Sequence, residues 1–268
     1  MLRTKLSVVC ALALAIGAML TSGCSTTPVD RTAAMSPEQI YAEAKDELKV
    51  GAYDKAITLL EKLEGRAAGT PLAQQAQLDR AYALYKTEQS AQALATLDRF
   101  IKLHPASPAL DYALYLKGII NFNEDLGLFS SITRQDLAER DQQAAKESFS
   151  SFKELVVRFP ASHYAPDSRL RMNYIVGSLA QYEVHVARYY YSRGAYLAAI
   201  NRVQQAVTDY RSAPALEEGL FILYKSYEAL DMPQLRDDAR RVLELNYPKS
   251  DYLVYDFKSR SDPWWKLW

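Results

Sequence analysis

The chain has 268 residues, of which 32 are basic and 32 are acidic, and 49% of its residues are hydrophobic. This composition is typical of an ordinary folded protein and excludes a disordered, collagen-like or disulfide-rich chain. A formal net charge of zero removes the long-range positive field that collects phosphates, so we expect no nucleic-acid partner. Only 10 residues are glycine, which argues against a glycine-rich nucleotide site.

The N-terminal residues have the pattern of an export signal. Two basic residues precede a mostly apolar run, Leu6–Leu20, which is shorter than the ~20 residues that a membrane-crossing helix needs. The motif Thr21-Ser22-Gly23-Cys24 is similar to the lipobox of bacterial lipoproteins, whose cysteine becomes the first mature residue and carries the lipid. We therefore predict a signal peptide over residues 1–23, lipidation at Cys24 and a flexible tether over residues 24–35.

The two cysteines and the residue after the second one extend this prediction. Cys10 would leave with the signal peptide and Cys24 would carry lipid, so the mature domain would have neither a disulfide nor a thiolate metal site. Ser25 follows the lipobox, where an inner-membrane lipoprotein would have aspartate. We therefore expect the outer membrane as the destination.

Five dipeptides that end in proline mark the starts of predicted helices. Proline is favoured in the first turn of a helix, and Ser or Thr before it can cap the helix. The first two intervals between these prolines are 34 and 37 residues, close to the period of tetratricopeptide (TPR) hairpins, whereas the next two, 58 and 48, require insertions. The dipeptides are Ser36-Pro37, Thr70-Pro71, Ser107-Pro108, Ala165-Pro166 and Ala213-Pro214.

The second helix of each predicted hairpin has its own pattern. A small residue, which allows close helix packing, stands 12 positions before a chain break, and glycine at Gly51 and Gly194 supplies the turn. The sequence therefore predicts an all-α fold, a superhelical solenoid of about five TPR-like hairpins over residues 36–250; a generic helical bundle is the alternative. The pairs are Ala93 and Pro105, Ser148 and Pro160, Ala199 and Arg211, and more weakly Arg236 and Pro248.

Two segments depart from this period. We predict that residues 123–143 form an insertion in the third hairpin, which is either a solvent-exposed loop without a role or a contact site. Residues 251–268 form an aromatic tail in which all three tryptophans lie in the last five positions. Exposed aromatic residues at this density suggest docking to a partner or a membrane surface, but the tail could equally fold back over the last hairpin.

The sequence contains no familiar catalytic, metal or cofactor motif. His104, His163 and His185 have no neighbouring ligand at a metal-binding spacing, and we predict no enzyme activity, metal or cofactor. A solenoid instead offers a groove lined by the first helix of each hairpin, suited to binding peptides. Candidates for its wall are Tyr41, Tyr82 and Tyr85, which could equally be core residues.

Together with the lipobox and the hairpins, three strings resemble the BamD family, the TPR lipoproteins of the β-barrel assembly machinery. The resemblance covers residues 24 to about 250, and the insertion with Arg134, Asp136, Arg140 and Asp141 is also similar, whereas the tryptophan-rich end is not part of the pattern. The strings are LDRFIKLHPASPALDYALYLKG, FKELVVRFPASHYAPD and ARYYYSRGAYLAAINRV.

The resemblance implies a lipid-anchored protein on the periplasmic side of the outer membrane, which binds other lipoproteins of the machinery. Its C-terminal hairpins would dock the POTRA domain of a BamA-like barrel protein, and its N-terminal hairpins would receive unfolded β-barrel precursors. Alternatives are a peptidoglycan-associated or cell-wall-active lipoprotein and a TPR adaptor in envelope division. The docking residues that the resemblance implies are Arg193, Tyr196, Asn201 and Arg202, with Arg202 the strongest candidate because arginine forms bidentate pairs with carboxylates.

Overall fold

The computed structural model describes residues 31–126 and 142–258, and within these ranges the chain is helical and has no strand. In the described part of the chain, ten helices pair in chain order into hairpins 1 to 5, and each helix packs against the next. The predicted all-α solenoid of five hairpins is therefore confirmed. The helices are α1 (Pro37–Lys49), α2 (Tyr53–Arg66), α3 (Pro71–Lys86), α4 (Ser90–Leu103), α5 (Leu110–Leu126), α6 (Gln142–Arg158), α7 (Ala165–Ser192), α8 (Tyr196–Asp209), α9 (Leu216–Ala229) and α10 (Pro233–Asn246), followed by the short α11 (Asp251–Tyr255).

The predicted prolines lie at or near the helix starts. At Pro37 the preceding Ser36 forms a complete capping box with Gln39, and at Pro71 the Thr70 hydroxyl accepts a hydrogen bond from a backbone N–H of the first turn. Pro166 is the second residue of α7. The other two prolines precede their helices by two residues, because a backbone-bonded turn separates each from its helix start.

The turns within hairpins 1, 2, 4 and 5 share one backbone geometry. Each contains a residue with positive φ, after which a backbone N–H donates back to a carbonyl five residues earlier. The predicted glycines Gly51 (φ 78°) and Gly194 (φ 74°) occupy this position, but Glu88 (φ 61°) and Asp231 (φ 54°) occupy it in hairpins 2 and 5.

Small residues allow the paired helices to approach closely, as predicted. Ala93, Ser148 and Ala199 are fully buried, whereas in α10 the buried small residue is Ala239, because the weaker candidate Arg236 lies on the partly exposed side. In hairpin 3 the Ser148 hydroxyl donates to the carbonyl oxygen of Gly118 at 2.8 Å.

The ends of the solenoid and its third hairpin differ in detail from the sequence-based boundaries. Residues 31–34, within the predicted tether, form a 3-10 turn whose Thr32 is buried and accepts a hydrogen bond from Arg66 of α2. At the predicted insertion, α5 continues to Leu126 and α6 begins at Gln142. The fourth hairpin opens with the 28-residue helix α7, which accounts for part of the longer repeat interval.

Candidate interaction surfaces

A tyrosine and a carboxylate join the first helices of hairpins 1 and 2. The Tyr41 hydroxyl of α1 donates to Asp79 Oδ2 of α3 at 2.9 Å, and Lys45 Nζ lies 3.2 Å from the same oxygen. Gln75 donates to the other carboxylate oxygen, so hydrogen bonds offset the cost of burying Asp79. Burial and the negative charge of Asp79 raise the pKa of Tyr41 above its usual range. Tyr41 is therefore half-buried and held by its hydroxyl.

The other two tyrosines predicted for the groove, Tyr82 and Tyr85, lie three residues apart in α3. Both are half-buried and pack against the apolar core between hairpins 2 and 3. The Tyr82 ring also meets the ring of Tyr53 edge-on, with 6.3 Å between the centroids. Tyr82 and Tyr85 are thus partly buried in this core and partly exposed, and their place in a peptide groove stays a prediction.

Three further tyrosines continue this aromatic surface along α5 and the start of α7. Tyr115 stacks on Tyr164 with 4.6 Å between ring centroids, and Tyr112 lies 5.7 Å from the same ring. Burial raises the pKa of both Tyr112 and Tyr115. The sequence argument did not single them out, although Tyr112 and Tyr115 repeat the i, i+3 spacing of the tyrosines in α3. We call the surface formed by these tyrosines with Tyr41, Tyr82 and Tyr85 the tyrosine face.

A second tyrosine–aspartate contact joins the first helices of hairpins 3 and 4. The Tyr115 hydroxyl donates to Asp167 Oδ2 at 2.9 Å, and Arg171 Nε donates to the same oxygen at 2.7 Å. Partial burial raises the pKa of Asp167, but the hydrogen bonds from Arg171 and Tyr115 outweigh it, so its pKa lies below the ordinary value. The tyrosine face thus has anionic groups fixed beside aromatic rings.

The docking residues implied by the resemblance lie in hairpin 4, at the turn between α7 and α8 and along α8. Arg193 is exposed, with its guanidinium 5.3 Å from the centroid of the Tyr189 ring. Tyr196 is half-buried and packs on Tyr191, with 5.5 Å between ring centroids. Asn201 is exposed one turn after Leu197 on the same side of α8.

Two large apolar side chains that the sequence argument missed lie among these residues. Tyr189 is 55% exposed and Leu197 is 61% exposed, so this part of hairpin 4 presents apolar area to solvent beside Arg193. Their exposure could not be inferred from the sequence, because both also fit a helical apolar stripe. We call the set Tyr189, Arg193, Tyr196, Leu197, Asn201 and Arg202 the hairpin-4 surface.

Arg202 is bound within the chain. Its Nη1 lies 3.2 Å from Oε2 of Glu183 in α7, a carboxylate whose side chain is only 8% exposed, and this hydrogen bond raises the pKa of Arg202. The Arg202 side chain itself is 43% exposed. The ion pair therefore fixes the arginine in one orientation and leaves part of its guanidinium accessible at the surface.

The histidines lie in ordinary environments. His104 packs on Phe100 and His163 on Tyr164, with ring centroids 5.1 and 5.6 Å apart, and His185 is exposed. Among the residues described by the structure, no group of three His, Cys, Asp or Glu side chains is placed to hold a metal ion. Over the same ranges, no helix combines the length and hydrophobicity that crossing a membrane requires.

Several predictions fall outside the described residues. These are the signal peptide, the lipidation site Cys24, the charged residues of the insertion and the three tryptophans of the tail. The described part of the tail folds back on hairpin 5, where Tyr252 stacks on Phe221 with 5.2 Å between ring centroids and Phe257 meets the same ring edge-on at 4.8 Å.

Comparison with known proteins places this helical chain among bacterial lipoproteins. Proteins named outer membrane protein assembly factor BamD are similar over most of their length. The protein from Neisseria meningitidis serogroup B is 45% identical over 98% of this chain and 99% of its own length. The protein from Vibrio cholerae is 34% identical over 84% of this chain and 92% of its own, and that from Haemophilus influenzae is 34% identical over 89% and 91%.

A solved structure and a family model complete the comparison. A putative kinesin light chain from Podosopora anserina with TPR-like repeats aligns over 80% of this chain and 99% of its own, with a TM-score of 0.35 and 14% identity. At that score the alignment carries no argument, and the fold rests on the hairpins themselves. The model of the YfiO family, described as outer membrane lipoprotein, matches residues 33–243. The chain therefore belongs to the YfiO family of outer membrane lipoproteins.

Proposed function

We propose that the protein is a scaffold and receptor in outer-membrane protein assembly and catalyses no reaction. Its lipid anchor at Cys24 would hold the hairpins on the periplasmic side of the outer membrane. There it would bind a BamA-like barrel protein, other lipoproteins of the assembly machinery and unfolded β-barrel precursors. The names of its full-length relatives support this role, as does a fold that offers long side-chain surfaces.

The hairpin-4 surface is the observation that carries the proposal. Exposed Tyr189 and Leu197 supply apolar area, and Arg193 and Arg202 flank it with positive charge. Tyrosine and arginine are the residues most often found at the energetic centres of protein interfaces. A partner with an apolar residue and a carboxylate at matching positions would fit this surface, and we assign it to the POTRA domain of the barrel protein.

We assign the unfolded precursors to the tyrosine face. A precursor segment that ends in aromatic residues could pack its rings against the exposed sides of Tyr41, Tyr82 and Tyr85, gaining about 0.5–1.5 kcal/mol per aromatic pair beyond area burial. Asp79 and Asp167 are paired with Lys45 and Arg171 and also accept hydrogen bonds from Tyr41 and Tyr115, so their charges are balanced within the chain. The rings beside them are therefore the groups that a precursor segment would contact.

A charge exchange between Arg202 and Glu183 tests the docking site while keeping opposite charges on α7 and α8. A single Arg202→Glu variant would place two carboxylates together and destabilise the contact between α7 and α8. The double variant Glu183→Arg/Arg202→Glu keeps an ion pair between the helices but reverses the charge shown to a partner. We expect its affinity for a purified POTRA domain to fall at least about tenfold, or about 1.4 kcal/mol, in a titration by calorimetry.

The matched control is the exposed pair Asp46 and Lys49 of hairpin 1, whose charged atoms are 2.8 Å apart. The exchange Asp46→Lys/Lys49→Asp changes charge to the same extent far along the chain from hairpin 4, and its affinity should equal that of the unmodified protein. Circular dichroism should give the same helical spectrum for all three proteins. Undiminished binding by the hairpin-4 double variant would show that Arg202 is not a docking residue.

A further inference from the structure

Hairpin 5 is followed by the start of another repeat. The junctions before hairpins 3, 4 and 5 share two backbone hydrogen bonds. In each, the N–H of one residue donates to the carbonyl oxygen three residues earlier, and the carbonyl oxygen of that same residue accepts from the N–H three residues later. The same two bonds recur after hairpin 5, where Ser250 N–H donates to Tyr247 O at 3.0 Å and Leu253 N–H donates to Ser250 O at 3.2 Å. Helix α11 therefore begins where the first helix of a sixth hairpin would begin.

This added helix ends after five residues. Asp256 adopts a φ of 60°, which a continuing helix cannot accommodate, and the chain turns back so that Phe257 packs on Phe221 and Tyr191. Asp256 lies 3.8 Å from Lys225 of α9, much as Asp79 lies 3.2 Å from Lys45 in hairpin 1. Residues 251–258 thus have the geometry of only the first turns of a further repeat.

The shortened helix leaves a cleft of about 330 Å³ between α9, α10 and α11. Both Val254 (70% exposed) and Tyr255 (61% exposed) of α11 lie on its wall. Tyr224, Lys225 and Arg240 line the opposite side, and Lys225 Nζ is 5.4 Å from the centroid of the Tyr224 ring. We call this space the end cleft.

An aromatic ring with a hydrogen-bond donor fits this lining. Arginine and lysine interact favourably with the face of an aromatic ring, and tryptophan is the best partner of this kind. Tyrosine rings on the walls add stacking contacts. In solenoid proteins the terminal repeat needs a cap, because its outer side would otherwise be open to water.

The chain itself carries such rings a few residues after the segment that lines the end cleft. Residues 259–268, SRSDPWWKLW, begin three positions after Asp256, the last residue of the segment 252–256 that forms one wall. Trp264 is the sixth residue after Lys258, where the described chain ends, and six extended residues span at most about 20–22 Å. That reach is enough to bring an indole ring back to Arg240 and Lys225.

We propose that the tryptophan-rich end of the chain folds back and inserts an indole ring of Trp264 or Trp265 into the end cleft, where it caps the solenoid. The proposal is independent of the hairpin-4 surface and of any partner protein.

Intrinsic fluorescence tests this proposal directly, because all three tryptophans of the chain lie in this segment. The experiment uses residues 24–268 with Cys24→Ser, which keep every residue that the structure describes. At low concentration and without lipid, we expect emission at shorter wavelength and weaker acrylamide quenching than for a synthetic peptide of residues 259–268. Variants that retain a single tryptophan, with phenylalanine at the other two positions, should show this protection at 264 or 265.

Val254→Glu places a charge in the end cleft and should shift the emission towards that of the free peptide. Its matched control is Val157→Glu in α6, because Val157 is also 70% exposed. This control variant should leave the emission unchanged. Tyr255→Lys gives a second variant in the cleft, and unchanged circular dichroism establishes that each protein is folded.

Four results would overturn the proposal. Emission equal to that of the free peptide would show that the segment is solvated. Protection that appears only at high protein concentration would show that the segment binds a second copy of the chain. Protection that appears only with phosphatidylethanolamine and phosphatidylglycerol vesicles would show that it binds a membrane. Protection that survives both Val254→Glu and Tyr255→Lys would place it elsewhere on the protein.

Discussion

At the scale of single residues, the turns of hairpins 1, 2, 4 and 5 depend on backbone conformations that most residues avoid. Glycine adopts positive φ without a steric penalty, so Gly51 and Gly194 fit their turns. Glu88 and Asp231 adopt the same conformation at a cost that the surrounding helices must offset. A sequence pattern that looks for glycine therefore finds two of these four turns and misses the others.

Replacing glycine by alanine should have opposite effects at two positions near each other in the chain. Gly194 lies at φ 74°, where a Cβ atom costs about 1–2 kcal/mol, so Gly194→Ala should lower the free energy of unfolding by about that amount. Gly177 lies within α7, where an added Cβ atom would meet nothing within 4 Å, so Gly177→Ala should raise it by about 0.5–1 kcal/mol. Urea denaturation of both variants measures the difference, and a change of the same sign in both would contradict this account.

Two side-chain contacts in the candidate surfaces could not be predicted from the sequence. The string around Arg202 placed the predicted docking residues on one hairpin, but it did not indicate that the Arg202 guanidinium pairs with Glu183, 19 positions earlier. Such a contact depends on how α7 and α8 pack, which local patterns do not encode. The same holds for Tyr41, whose partner Asp79 lies 38 positions away, although both residues were on helices that the prolines had located.

At the scale of helices, hairpin 3 shows how closely paired helices approach. A Cβ atom on Gly118 of α5 would lie 2.5 Å from the ring of Phe152 in α6, well inside contact distance. The hydroxyl of Ser148 bonds to the Gly118 carbonyl one turn away. Glycine is thus required here by packing between helices and not by its backbone conformation.

Gly118→Ala should therefore destabilise the protein by about 1–3 kcal/mol, because overpacking forces the Phe152 ring or a helix to move. Gly65 of α2 is the matched control, since a Cβ there meets no atom within 4 Å and Gly65→Ala should be neutral or stabilising. Thermal unfolding followed by circular dichroism gives both midpoints. Equal midpoints for the two variants would mean that α5 and α6 are not in close contact at Gly118.

The sequence predicted that these helices form, but it predicted their first and last residues less well. Proline with a capping residue placed the starts of α1 and α3 to the residue, because the cap is a local interaction. Before α5 and α9 the proline belongs to a bonded turn, so those helices start two residues later, at Leu110 and Leu216. Both ends of the 28-residue helix α7 carry local signals, the Ala165-Pro166 dipeptide at its start and the Gly194 turn directly after its end.

At the scale of the whole molecule, segments that are not hairpins pack on the two described ends of the solenoid. The 3-10 turn at residues 31–34 packs on α2 through Arg66, and α11 with Phe257 packs on α9. The hairpin-4 surface lies between them around the turn from α7 to α8, and the tyrosine face lies on α1, α3, α5 and the start of α7. The two surfaces share hairpin 4 but no residue, so we expect a precursor and a barrel protein to contact different residues.

The most direct test of this account is photocrosslinking in intact cells, with a photoreactive residue at position 197 of the hairpin-4 surface and, as the control, at position 157. Leu197 and Val157 are both exposed aliphatic residues, 61% and 70% exposed, in different hairpins. We expect the probe at position 197 to capture the BamA-like barrel protein through its POTRA domain and the probe at position 157 not to capture it. Capture of that protein from both positions, or from neither, would contradict the claim that the hairpin-4 surface docks the barrel protein.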